Sequence, residues 1–340
     1  MTYLFGLMPV VVLVSFLITW GLRKYAIAHS VIDVPGARSS HTVPTPRGGG
    51  VAIVITFLAI LPMFAMAGAV SKPLMWAVLG SGAGIALLGF LDDHGHIAAR
   101  WRLIAHFVAA AWALFWLGGL PPLALFDYPL HLGWLGHALA AMYLVWMLNL
   151  YNFMDGIDGI ASVEAVCVCI GAVCLYLIAG RTEMIGVPLL LACAVIGFLI
   201  WNFPPAKIFM GDAGSSFIGI VVGILSLEAA WMVPHALWTW LILLGVFIVD
   251  ATFTLLRRLL RKEKFYEAHR SHAYQYASRR YGKHLPVTLG VAAINLGWLL
   301  PIALLVGTSA LRAEVGVVVA YVPLIVLAVI YRAGAEEIAE

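Results

Sequence analysis

Apolar runs of about 18 residues or more recur from one end of the chain to the other, and each is long enough to cross a bilayer as a helix. They cover 3–22, 49–69, 74–91, 103–119, 136–153, 159–180, 186–202, 214–232, 236–256, 286–307 and 313–331. In lipid every backbone polar group must find its partner within the protein, so runs of this kind fold as helices. The expected fold is therefore all-α: a polytopic membrane protein of about 10–11 transmembrane helices. It forms a single domain over 1–340, with one long polar loop at 257–285. A large soluble protein is excluded because only 11% of the residues are charged, against about 25% in soluble domains. The first run has no basic segment before it, no small-residue cleavage site after it, and Arg23 and Lys24 behind it. It reads as a retained anchor, not a signal peptide.

The basic residues orient the bundle. With the N-terminus outside and the spans alternating, 17 of the 20 Lys and Arg residues fall inside, nine of them between Arg257 and Lys283. Only Lys72, Arg181 and Arg312 fall outside. This is a strong positive-inside signal, which places the membrane-embedded chain with its long loop in the cytoplasm. The net charge of +3 follows from that topology and does not point to nucleic acid. Cys167, Cys169, Cys174 and Cys193 all lie within spans without metal-type pairing, and read as inert buried thiols.

Five polar clusters then fall on the inner side: "ARSSHTVPTPRGGG", "FLDDHGHIAARWR", "NLYNFMDGIDGIA", "FPPAKIFMGDAGSSFIG" and "FYEAHRSHAYQ". Acids at a membrane edge are costly and mark function by default. In the third cluster Asn149, Asn152, Asp155 and Asp158 recur every three residues, so on one continuous helix neighbours in the series would share a side. The adjacent acids Asp92 and Asp93 would perturb each other's titration. Carboxylate and amide oxygens suit Mg2+ or Mn2+, not zinc. A hard divalent ion beside arginine and histidine suits a pyrophosphate, and a glycine-flanked helix start such as "GDAGSS" can offer N–H groups to phosphate. Together these residue types describe phosphoryl transfer. A proton-coupled secondary transporter also keeps acids in its spans, but near the midplane; here the polar groups gather at one interface.

In order and spacing, "GFLDD", "NFMDGIDGIA", "FMGDAGSS" and the His/Arg loop resemble the polyprenyl-phosphate N-acetylhexosamine-1-phosphate transferases, the MraY/WecA-like members of glycosyltransferase family 4. The resemblance runs from the first span through the His/Arg loop. It implies an enzyme of the bacterial inner membrane, with a cytoplasmic active site, Mg2+ dependence and, in many members, dimerisation. The implied reaction moves a sugar 1-phosphate from a UDP-N-acetylhexosamine to undecaprenyl phosphate and releases UMP. Position by position, it makes Asp92 and Asp93 the paired catalytic aspartates. The first of them either deprotonates the lipid phosphate or attacks the sugar phosphate covalently. Asn152 and Asp212 match metal ligands, Asp155 lies between them in the same site and joins the catalytic set, and Asp158 matches a residue that contacts uracil. Arg102 matches a basic residue near the phosphates, and His269, Arg270 and His272 match the loop that holds pyrophosphate and sugar. His41 and Arg47 of the first cluster join the substrate-binding set.

One departure is informative. The loop reads His-Arg-Ser-His, where the peptidoglycan-precursor enzymes carry three adjacent histidines and WecA-type enzymes carry His-Ile-His-His. That argues against a MurNAc-pentapeptide donor and is most similar to the WbpL branch, which initiates O-antigen or related surface polysaccharides. UDP-N-acetyl-D-fucosamine, UDP-GlcNAc and UDP-QuiNAc all stay open as donors.

Overall fold

The computed structural model describes residues 6–35, 41, 43–95, 97–126, 128–233, 235–263 and 270–335. Among the described residues each expected span falls on helical structure. In chain order the helices are α1 (Met8–Ala28), α2 (Val51–Met66), α3 (Lys72–His94), α4 (Ala99–Leu117), α5 (Gly133–Met154), α6 (Ile160–Ile178), α7 (Gly186–Asn202) and α8 (Asp212–Met232). They continue with α9 (Ala236–Leu243), α10 (Gly245–Leu260), α11 (Ala273–Tyr281), α12 (Leu285–Ile294), α13 (Leu300–Gly307) and α14 (Ala313–Ile330). A π-helical turn, Asn295–Leu299, joins α12 to α13. Among the described residues, eight helical stretches are long and apolar enough to cross a membrane, or nine when α9 and α10 count as one bent span, fewer than the 10–11 expected: α2 is too short at 16 residues, and α4, which starts with the charged Arg100 and Arg102, is not among them. The chain is an all-α polytopic membrane protein.

Two further expectations change. The span expected over 236–256 is not one helix: it breaks at Leu244, and α9 and α10 meet at 73°. The apolar run is continuous through the break, so hydropathy alone gives no sign of it. The three-residue series from Asn149 to Asp158 does not lie on one helix either. Helix α5 ends at Met154, where the Asp155 N–H turns back to the Asn152 carbonyl at 3.3 Å, and Gly159 takes a left-handed φ of 73° to start α6.

Helix α8 forms the axis of the bundle and is buried along nearly its whole length, packed against α3 and α5. Around it, α1 packs on α7, α7 on α6, and α10 on α14. Helix α2 has only 16 residues, about 24 Å of rise. Its N-terminus stops against the start of α8. A Cβ on Gly50 would lie 2.5 Å from Gly214 Cα, so only glycine permits this approach. The antiparallel ribbon β1 (Ile32–Asp33) with β2 (Thr45–Pro46) then carries Arg47 to the same end of α8, and the Phe209 N–H donates to the Pro46 carbonyl at 2.8 Å. At the far end β3 (Leu123–Leu125) and β4 (Tyr128–Leu130) form a second short ribbon.

Candidate active site

Four segments far apart in sequence converge where α8 begins. Gly211 sits there with φ 78, and a Cβ on it would lie 2.7 Å from Asp93 Oδ2. The Asp212 N–H points at Asp93 Oδ1 at 3.4 Å, so the first N–H groups of α8 face a carboxylate of α3. Asp93 is 8% exposed, and its Oδ2 is buried with no hydrogen-bond partner among the described residues. The Arg47 guanidinium donates to the Asp93 carbonyl. From α5 the Asn152 amide donates to Asp212 Oδ1 at 2.9 Å and to Ser215 Oγ at 3.1 Å.

A cavity of about 300 Å3 opens at this point. Of the residues singled out in the sequence, His41, Arg47, Asp93, Asn152, Asp155, Asp158 and Asp212 line it, and Asp33 adds another acid. Desolvation by burial, followed by the charges of Asp212, Asp93 and Asp158, holds the Asp155 carboxyl well above the usual carboxylate range.

The neighbouring aspartates of α3 face different ways. Successive helical residues point about 100° apart, and Asp92 turns away from the 300 Å3 cavity. Its Oδ1 accepts the Ile97 N–H at 2.8 Å and its Oδ2 accepts from Arg102. Arg102 also lies 3.9 Å from Asp212. Asp92 and Arg102 line a smaller cavity of about 30 Å3, whose wall includes Asn152 and Asp212.

The His/Arg loop is placed differently. His269 lies outside the described residues. His272 is 2% exposed, with its ring Nδ1 3.3 Å from Asp250 Oδ1 and its ring stacked near Phe153. Asp250, on α10, also accepts the Ala273 and Tyr274 N–H groups at 2.9 and 3.0 Å, so it caps α11 from another helix. Tyr274 Oη donates to the Phe153 carbonyl at 3.0 Å, which brings Gln275 into the acidic cavity. The Arg270 carbonyl accepts from Arg279 at 3.2 Å. Neither Arg270 nor His272 lines the two cavities.

Several site residues were not singled out from the sequence. Asn202 at the end of α7 accepts the Gly159 N–H at 3.1 Å and donates to the Ile208 carbonyl at 3.0 Å, so it ties the α6 turn to the loop before α8. His284 Nδ1 lies 3.1 Å from Asp158 Oδ1, while Asp158 Oδ2 accepts the Ala206 N–H at 3.0 Å. Phe209 stands edge-on to the His41 ring, 4.8 Å between centroids. The signal available for Asn202 and His284 was a lone polar residue at a span end, which also fits an ordinary cap.

The sequence pattern of glycosyl transferase family 4 matches residues 75–230. Over 269 residues the chain is 30% identical to the probable undecaprenyl-phosphate N-acetylglucosaminyl 1-phosphate transferase of Bacillus subtilis, covering 77% of this chain and 74% of that protein. The chain belongs to glycosyl transferase family 4. Two further relatives match over longer and shorter stretches. The decaprenyl-phosphate N-acetylglucosaminephosphotransferase of Mycolicibacterium smegmatis is 28% identical over 352 residues, covering 91% of this chain and 85% of that protein. A phospho-N-acetylmuramoyl-pentapeptide-transferase of Streptococcus pneumoniae is 29% identical over 222 residues, covering 63% of this chain and 67% of that protein. The family match contains Asp92, Asp93, Arg102, Asn152, Asp155, Asp158 and Asp212, while His41, Arg47 and the His/Arg loop lie outside it.

Proposed function

We propose that the chain is a phosphotransferase that moves an N-acetylhexosamine 1-phosphate from a UDP-sugar to undecaprenyl phosphate at the cytoplasmic face of the bacterial inner membrane. UMP is released, and the lipid-linked sugar starts an O-antigen or related surface polysaccharide. The observation that carries this reading is the convergence of Asp93, Asn152, Asp155, Asp158 and Asp212 on one cavity at the end of a membrane bundle. The relatives named above act on polyprenyl phosphates and N-acetylhexosamine phosphates by name, which supports the same class of substrates here.

In the reaction an oxygen of the lipid phosphate attacks the β-phosphorus of the donor. The bond from that phosphorus to the bridging oxygen breaks, and the electron pair leaves with UMP. A cavity this acidic repels a diphosphate unless cations accompany it. Arg47 supplies one. The remaining lining fits Mg2+ or Mn2+: the oxygen donors are hard, and among the described residues Asp93 Oδ2 has no hydrogen-bond partner. Among the described residues no three acid, histidine or cysteine side chains form a ready cage. Mg2+ does not need one, since it keeps several waters and binds through one or two carboxylates. Asp212, Asn152 and Asp93 would hold it, and when bound it would neutralise charge on the phosphates.

Asp92 already accepts from two donors, so we assign it to hold Arg102 in place beside the phosphates. The test of the function is a donor screen on purified protein with UDP-GlcNAc, UDP-N-acetyl-D-fucosamine, UDP-QuiNAc and the UDP-MurNAc-pentapeptide. UMP should appear only when undecaprenyl phosphate is present, together with a lipid-linked sugar. UMP release from every donor without the lipid, or from none with it, overturns the reading.

A further inference from the structure

The two cavities divide the site in a way that separates substrates by phase. The donor is water-soluble and the acceptor is a lipid, so they approach Asp212 from different sides. The larger cavity is lined by loop residues such as His41, Arg47 and Asp158. The smaller one is built from helices of the bundle, with Asp92, Arg102, His106 and Asn149 in its wall. The wall shared by both consists of Asn152 and Asp212. Around the smaller cavity, the first turns of α4 expose Leu103, Ile104 and Phe107 by 49%, 52% and 41%, a surface that in a bilayer meets lipid.

His106 is the residue here that the mechanism above leaves unused. It is 8% exposed on α4, within the apolar run 103–119 and one turn beyond Arg102. A polar side chain in that position is kept for a task or for a partner. Its Nδ1 lies 3.4 Å from the Asn149 amide nitrogen, which donates its other hydrogen to the Val145 carbonyl at 2.7 Å. With Nδ1 accepting from the amide, the ring proton sits on Nε2 and makes that nitrogen a donor. A volume of about 30 Å3 holds on the order of two water-sized groups. That suits the free oxygens of a phosphate monoester and excludes a nucleotide.

We infer that His106 binds the phosphate of the lipid acceptor, in the smaller cavity beside Arg102, while the donor diphosphate occupies the larger one. This rests on the transferase reading above. Asp92 keeps Arg102 at the shared wall, and His106 donates to a phosphate oxygen from the membrane side. The attacking oxygen is thereby presented to the donor across Asn152 and Asp212.

Steady-state kinetics with heptaprenyl phosphate and the donor that the screen selects tests the assignment. Loss of one hydrogen bond to a charged group is worth about tenfold in affinity. His106→Ala should raise the KM for heptaprenyl phosphate by about that factor and shift the donor KM by less than about twofold. His106→Gln, which restores an N–H, should recover most of the loss; His106→Phe, which keeps the ring volume without a donor, should not. An acceptor KM unchanged in His106→Phe, or a donor KM raised as much as the acceptor KM, overturns the proposal. Photolabelling of the wild-type protein with a heptaprenyl phosphate carrying a diazirine next to the phosphate gives an independent reading. Labels on α4 around His106 support the site, and labels confined to the lining of the larger cavity overturn it. A wild-type protein that transfers no sugar phosphate from any donor would instead overturn the transferase reading itself, which the kinetics would report before any variant is made.

Discussion

At the scale of single residues, the site separates groups that look alike in the sequence. Asp212→Ala and Asn152→Ala should each lower turnover by at least about a thousandfold, since each removes an oxygen from the cation set. Both variants should keep a near-normal melting temperature; a folded Asp212→Ala protein with ordinary activity would remove Asp212 from the site. Asp92→Asn tests the role of Asp92 itself. If Asp92 only holds Arg102, activity falls by about the same factor at pH 6 and pH 9. If it is the base for the lipid phosphate, whose second pKa is near 6, the loss is larger at pH 6. Asp155 carries a pH signature of its own. Its carboxyl is held well above the usual range, so the folded chain binds that proton more tightly than the unfolded chain, where the value is about 3.9. The stability this contributes is full below about pH 4 and is lost as pH rises through the raised value. Without divalent cations, the melting temperature of the wild type should therefore fall more between pH 5 and pH 8 than that of Asp155→Asn. Parallel slopes would contradict the raised carboxyl. That Asp92, Asp93, Asn152, Asp155, Asp158 and Asp212 belong to one region was legible, because polar residues stand out against an apolar chain. Which of two adjacent aspartates faces the acidic cavity was not, because it depends on how α3 is rotated against α8.

At the scale of elements, spans were legible and their joints were not. An apolar run is a local property, so each helix lies where its run lies. The break at Leu244 is not local: Gly245 packs against Tyr321, Leu324 and Leu299, partners far away in the chain. The position of α11 is likewise set by a distant residue, Asp250, which stands in the sequence as a single acid within an apolar run. Asp250→Ala should release the N-terminus of α11 and speed amide hydrogen exchange at Ala273 and Tyr274 by about tenfold, as expected for a lost cap. Asp250→Asn, which still accepts, should fall between. Exchange unchanged in Asp250→Ala would mean that α11 is held elsewhere. At the contact between α2 and α8, Gly50→Ala places a Cβ against Gly214 Cα where no side chain can give way. It should cost about 2 kcal/mol or more, the range for overpacking against backbone. The loss should be read as a lower melting temperature; an unchanged melt would show that the two helices can part.

For the whole molecule, the charge pattern makes a single orientation testable. A cysteine placed at Lys262, between α10 and α11, should resist an impermeant thiol reagent in intact cells and react after lysis, because the basic residues of that loop oppose translocation. Labelling from outside would reverse the orientation of every helix and put the acidic cavity on the wrong side for a UDP-sugar. The contacts that close the site, by contrast, could not be read ahead of the structure, since they join residues such as Asp158 and His284 that are 126 positions apart. The burial of α8 also has a consequence for biogenesis. Its main partners at the site end, α2, α3 and α5, are all translated before it. The slot that receives α8 is therefore assembled first, and Asp93 and Asn152 wait in it until Asp212 arrives. A ribosome that stalls before residue 212 leaves a half-built bundle whose glycine-lined slot and stranded acid face lipid. In such a chain Asp93 lacks the Asp212 N–H that it faces in the finished bundle.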